Sequence, residues 1–155
     1  MSKVQKAVDR FGSGYNCSQA ILESYGPDYG LSAIDCLRVS SGFGGGMRRA
    51  DVCGAVTGAF MVLGLRYGPK DMTDTSRKVV YSSVTDFASR FEARCGSVMC
   101  RDLLDCDIST PEGMRQAREA KLFKTVCPEM VKVAAEILEE LCEHVGPVDG
   151  AARGD

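Results

Sequence analysis

Eight cysteines are the residues of this 155-residue chain best able to do chemistry, and their spacing narrows which chemistry. No two of them form a Cys-x2-Cys pair. That argues against a zinc ribbon and against a thioredoxin-type redox pair, since both depend on closely spaced thiols. Cys95 and Cys100 have the gap that opens a plant-type ferredoxin motif, but the pair that should follow is missing. Any shared site has to be assembled from distant segments.

The cysteines divide when each is placed against the expected helix starts. Asn16 is a good N-cap with Gln19 three residues on, which puts Cys17 at the first helical position. Asp51 is expected to cap similarly, with Cys53 at the second position. Ser97 is expected to cap a short helix with Cys100 in its first turn. Cys127 is expected to be the cap itself before Pro128, a natural first helical residue. Helix N-termini offer unpaired amides and a positive dipole end, so all four thiols are expected to lose their protons readily. Thiolates bind metals and attack disulfides. Cys36, Cys95, Cys106 and Cys142 fall elsewhere and read as ordinary core or surface residues.

Other catalytic sets are thin. The lone histidine, His144, falls near the end of the last expected helix, where it suits a carbonyl partner better than a metal. There is no Gly-x-Ser-x-Gly elbow, so nucleophilic hydrolysis is not supported.

The elements that must position the cysteines read as helices. Apolar residues recur at helical spacing and no run alternates as a strand does, which predicts an all-α fold, a compact multi-helix bundle. Helices are expected at about 2–11, 16–25, 31–41, 51–66, 73–95, 98–104, 111–121 and 128–144. The segment from Cys53 to Leu65 is apolar all round and rich in glycine, which places it at the centre. Gly54 and Gly58 would cost about 1 kcal/mol each relative to alanine, so they call for close approach of another backbone or a cofactor. The last helix carries one apolar stripe through Val131, Ala134, Ile137, Leu138 and Leu141 and is expected to lie on the bundle surface. Between the third and fourth helices, Gly42 to Gly46 is too glycine-rich for regular structure. Gly44, Gly45 and Gly46 are either a flexible connection or a loop whose bare amides approach a buried anionic site, with Gly54 beside it.

Composition bounds the rest. The length suits one domain, taken as residues 1–150 with a flexible tail at 151–155. A net charge of −2 without a basic stripe makes nucleic acid a poor partner. The longest apolar run, Val52 to Leu65, is too short to span a bilayer, and the N-terminus lacks an apolar signal core. A cytoplasmic location is expected, where structural disulfides are not maintained and metal or redox use of cysteine moves ahead.

The segments Gly14-Tyr-Asn-Cys17-Ser-Gln-Ala20, Gly42-Phe-Gly-Gly-Gly-Met47 and Cys53-Gly-Ala-Val-Thr-Gly58, followed by Cys100 and Cys127-Pro128, resemble the redox-active family C_GCAxxG_C_C. The resemblance covers roughly residues 10 to 142 and implies that Cys17, Cys53, Cys100 and Cys127 are the characteristic four. The family is similar to the body of split-Soret cytochromes, which implies an electron-transfer setting with an iron–sulfur cluster. A haem is not expected, because Cys-x-x-Cys-His is absent.

Three readings follow. Four thiolates hold a 2Fe-2S or 4Fe-4S cluster, in a carrier or oxidoreductase subunit rather than a stand-alone enzyme. Two of the same cysteines form a reversible disulfide without any metal. Or the four make a structural zinc site. The expected partner is a redox protein or oxidoreductase subunit, with a homodimer also open.

Overall fold

The computed structural model describes residues 1–68, 71 and 73–144, the last two without their side chains. The expected tail at 151–155 and the His144 side chain lie outside the described residues. The described chain forms nine α-helices: α1 (Lys3–Gly12), α2 (Cys17–Tyr25), α3 (Ala33–Val39), α4 (Gly54–Tyr67), α5 (Asp74–Cys95), α6 (Cys100–Leu104), α7 (Pro111–Glu119), α8 (Leu122–Thr125) and α9 (Cys127–His144). Among the described residues there is no strand, only one isolated antiparallel bridge between Val52 and Met99. No described helix is long and apolar enough to cross a membrane.

Side-chain caps set most of the starts. Ser2, Asn16, Ser32, Thr73 and Thr110 each accept from a backbone amide three residues on. At Asn16 the capping box is complete, since Gln19 also accepts from the Asn16 amide. Gly96, at φ 91°, ends α5 in the left-handed conformation that glycine adopts without strain.

Glycine spacing decides how α4 sits. Its inner residues Ala55, Val56, Ala59, Val62 and Leu63 are fully buried or nearly so, and the helix packs against α2, α5 and α9. A Cβ on Gly58 would stand 2.9 Å from the Ser18 carbonyl oxygen and 3.1 Å from the Ser18 Cα. A Cβ on Gly54 would stand 3.0 Å from the Ser18 amide nitrogen and 3.2 Å from the Cys17 Cβ. The two glycines are therefore the seam along which α2 meets α4 backbone to backbone. Gly58→Ala tests it: alanine gains about 1 kcal/mol in helix propensity but forces α2 outward at a cost of about 1–3 kcal/mol. A net loss of stability in urea unfolding is expected.

Two expectations are corrected here. Helix α9 is not a surface helix, because Val133 and Ala135 are buried beside the apolar stripe and α1, α2, α4, α5 and α8 all pack on it. Aromatic rings fill the side of α4 away from α2, with Phe60 edge-on to Phe87 at 6.0 Å and Phe87 stacked on Phe91 at 6.2 Å. The glycine segment is not a featureless connection either. A 3-10 turn at Ser41–Phe43 leads into a left-handed turn in which Gly45, Gly46, Met47, Arg48 and Ala50 all have φ between 55° and 63°. The Asp51 amide closes it on the Gly46 carbonyl at 3.1 Å.

Candidate functional site

Cys17, Cys53, Cys100 and Cys127 line one cavity of about 420 Å3. Each belongs to a different helix start, and each is at most 9% exposed. Gly44, Gly45, Gly46 and Gly54 line the same cavity, so the eight residues singled out in the sequence are brought together. Cys36, Cys95, Cys106 and Cys142 do not line it. Cys36 is fully buried in α3, its thiol directed at the Leu31 carbonyl 3.7 Å away, and Cys142 lies 4.0 Å from the Tyr29 hydroxyl.

Three local devices bring these segments together. Asn16 caps α2 with its oxygen and donates through Nδ2 to the Ser41 carbonyl at 3.1 Å, which ties the start at Cys17 to the glycine loop. A Cβ on Gly44 would fall 2.7 Å from the Asn16 Cβ, so this joint needs glycine. The Val52–Met99 bridge joins the starts at Cys53 and Cys100, with the Cys53 amide donating to the Val98 carbonyl at 2.8 Å and the Cys100 amide to the Asp51 carbonyl at 2.7 Å. Cys53 and Cys100 are thereby neighbours although far apart in sequence. Arg101 then clamps the strained turn, donating to the carbonyls of Ala50 and Arg49 and to Asp51 Oδ1 at 2.7 Å.

The helix starts differ from expectation in register. Cys53 is the N-cap of α4, not its second residue, because Asp51 is held by Arg49 and Arg101 and does not cap. Met99 occupies the cap position of α6, while Ser97 accepts from the Met99 amide at 3.0 Å in a local turn. Cys127 is the first residue of α9, since the Met130 amide donates to the Val126 carbonyl.

Thiol acidity differs more. Cys53 is lowered below the ordinary thiol value, first by the Cys17 thiol set against its sulfur and then, against the opposing effect of burial, by the amides of Ala55 and Val56 at the start of α4. Cys17 is raised well above it, first by Cys127 and Cys53 and then by burial. Cys100 is pushed up to about 12, first by burial and then by the neighbouring Cys53 and Cys127. The uniform lowering read from the helix starts is therefore corrected. Burial disfavours a charge, and adjacent sulfurs oppose a second one more strongly than a helix end favours it.

Among the described residues no group of three or more His, Cys, Asp or Glu side chains could hold a metal ion as it stands. The lining still offers four thiols, with Asn16 and Ser41 beside them. Among the described residues no carboxylate lines the cavity, and the charged ones that do are Arg48 and Arg118. Four thiols at one cavity are a soft donor set.

The family model described as "Putative redox-active protein (C_GCAxxG_C_C)" matches residues 15–141. The chain belongs to the C_GCAxxG_C_C family. No curated protein and no solved structure matches it. The C_GCAxxG_C_C match runs from the residue before the Asn16 cap through most of α9, so it takes in every element that reaches the cavity except Phe11. Membership carries redox activity as the family's character.

Proposed function

We propose that this C_GCAxxG_C_C protein is a one-electron carrier or an oxidoreductase subunit in which Cys17, Cys53, Cys100 and Cys127 hold an iron–sulfur cluster of two-iron or four-iron type. The observation that carries the reading is the convergence of four thiols from four helix starts on one cavity that, among the described residues, no carboxylate lines. Soft thiolate sets select iron–sulfur clusters over hard cations. When bound, such a cluster takes up and releases one electron at a time.

The chain's own residues supply the rest. Burying four thiolates together without a cation costs far more than a fold can spare, so without one Cys17 and Cys100 keep their protons. Iron would take the place of those protons as the sulfurs turn towards the cavity they already line. Gly44, Gly45, Gly46 and Gly54 let backbone approach the sulfurs, and amide donors there raise a cluster's potential. Leu104 and Ile108, each about 6% exposed or less, exclude water from the same space.

The test is iron and acid-labile sulfide content with a visible absorption spectrum on protein purified without oxygen. Stoichiometric iron and sulfide are expected. Their absence from protein prepared anaerobically would overturn the reading.

A second reading has its own support in the Cys53 sulfur, lowered in pKa with Cys17 against it. In it the Cys53 thiolate attacks a partner protein's disulfide, and the Cys17 sulfur then displaces the partner from the mixed disulfide. The partner leaves with two thiols and their protons, and Cys17 and Cys53 remain joined.

A further inference from the structure

The cavity has an outer part that the four thiols do not explain. Cys17, Cys53, Cys100 and Cys127 are buried, whereas Arg48 and Arg118, which line the same space, are exposed to solvent. The arginines therefore stand at the mouth and the thiols at the base. Among the described residues Arg48 and Arg118 form no ion pair, while Arg49 and Arg115, close to them in the chain, are each held by a carboxylate. An acidic partner from within the chain would be the ordinary arrangement, and among the described residues the cavity lining contains none.

Apolar side chains make up much of the lining. Phe11 at the end of α1, Leu103 of α6, Met114 of α7 and Phe123 of α8 face the cavity from four different elements. The whole cavity, base included, has about 420 Å3, within the range of small-molecule sites, roughly 300–1,000 Å3. Apolar walls with a few convergent charged groups are the usual make-up of such sites. A guanidinium presents a planar fork that fits a carboxylate through two parallel hydrogen bonds.

We propose that the outer cavity binds a small organic acid, a carboxylate on a compact apolar body, with Arg48 and Arg118 taking the charge and Phe11, Leu103, Met114 and Phe123 taking the body. Binding stands whatever the four cysteines hold. A ligand seated there lies between solvent and the thiols.

The experiment is calorimetric titration of sodium benzoate, at low salt, into the full chain purified without oxygen, with iron measured on the same sample. Saturable one-site binding of benzoate is expected, with neutral benzamide at least tenfold weaker. The Arg48→Gln/Arg118→Gln variant is expected to bind benzoate at least tenfold more weakly while keeping the parent's helical circular dichroism and iron content. No saturable benzoate binding, or equal affinity in the folded double variant, would overturn the proposal. Iron-free protein that still binds benzoate through the two arginines would refute the cluster and leave this site standing; iron-loaded protein that ignores benzoate would do the reverse.

Discussion

Gly46→Ala is expected to be among the most damaging single methyl additions in the protein, costing about 3 kcal/mol. Two independent penalties combine. Gly46 has φ +60°, where a residue with a Cβ is strained by about 1–2 kcal/mol. Its Cβ would also stand 2.5 Å from the Asp51 amide nitrogen and 2.7 Å from the Asp51 carbonyl oxygen, so backbone has to move. The moved backbone is the one that matters for the site, because the Asp51 carbonyl accepts from the Cys100 amide and the next residue pairs with Met99. Gly45→Ala is the control. It shares the positive φ, at +63°, but its Cβ meets only the end of Ile108 at 3.3 Å and the Arg48 side chain beyond 3.6 Å. A cost of about 1 kcal/mol is expected there. For a domain of this size the difference between the variants is roughly 4–8 °C in melting temperature. Equal melting temperatures would show that the left-handed turn is not held in the geometry described.

The difference between the two glycines marks where sequence reading stops. Helix starts governed by one side chain and one amide were legible, as at Asn16, where the capping box fixed Cys17 as the first helical residue. The close approach at Gly54 and Gly58 was legible because glycine inside an apolar helix is costly and needs a reason. The left-handed run was not, since Met47, Arg48 and Ala50 carry no local preference for positive φ. They are held there by tertiary contacts, chiefly Arg101 on the Arg49 and Ala50 carbonyls and the closure on Gly46. The Val52–Met99 bridge is too short to leave an alternating pattern, and with it the register of α4 and α6 was missed by two residues. Thiol acidity failed for a different reason. Helix ends can be guessed one at a time, whereas the effect of Cys127 and Cys53 on Cys17 exists only once the chain has folded.

That collective property makes the cysteine panel the decisive experiment, with all-or-none differences expected. Under the proposed function, Cys17→Ser, Cys53→Ser, Cys100→Ser and Cys127→Ser each lose the iron and sulfide of the parent, because each supplies one of four ligands from a separate helix start. Cys95→Ser and Cys106→Ser are the strictest controls. Their sulfurs lie close enough to the site for Cys95 to feel Cys53 and for Cys106 to feel Cys127, yet neither lines the cavity. Both are expected to keep full iron and sulfide. Cys36→Ser removes a fully buried sulfur in α3, so it is expected to lower the melting temperature and leave the metal content intact. The readouts separate the competing chemistries, since serine at Cys53 leaves an anaerobic two-electron disulfide titration unaffected only if that pair carries no redox function. A panel in which Cys106→Ser loses iron as completely as Cys127→Ser would show that the ligand set is not the one the cavity selects. A panel in which zinc and melting temperature fall together, with no sulfide in the parent, would make the four thiols a structural clasp for the starts of α2, α4, α6 and α9.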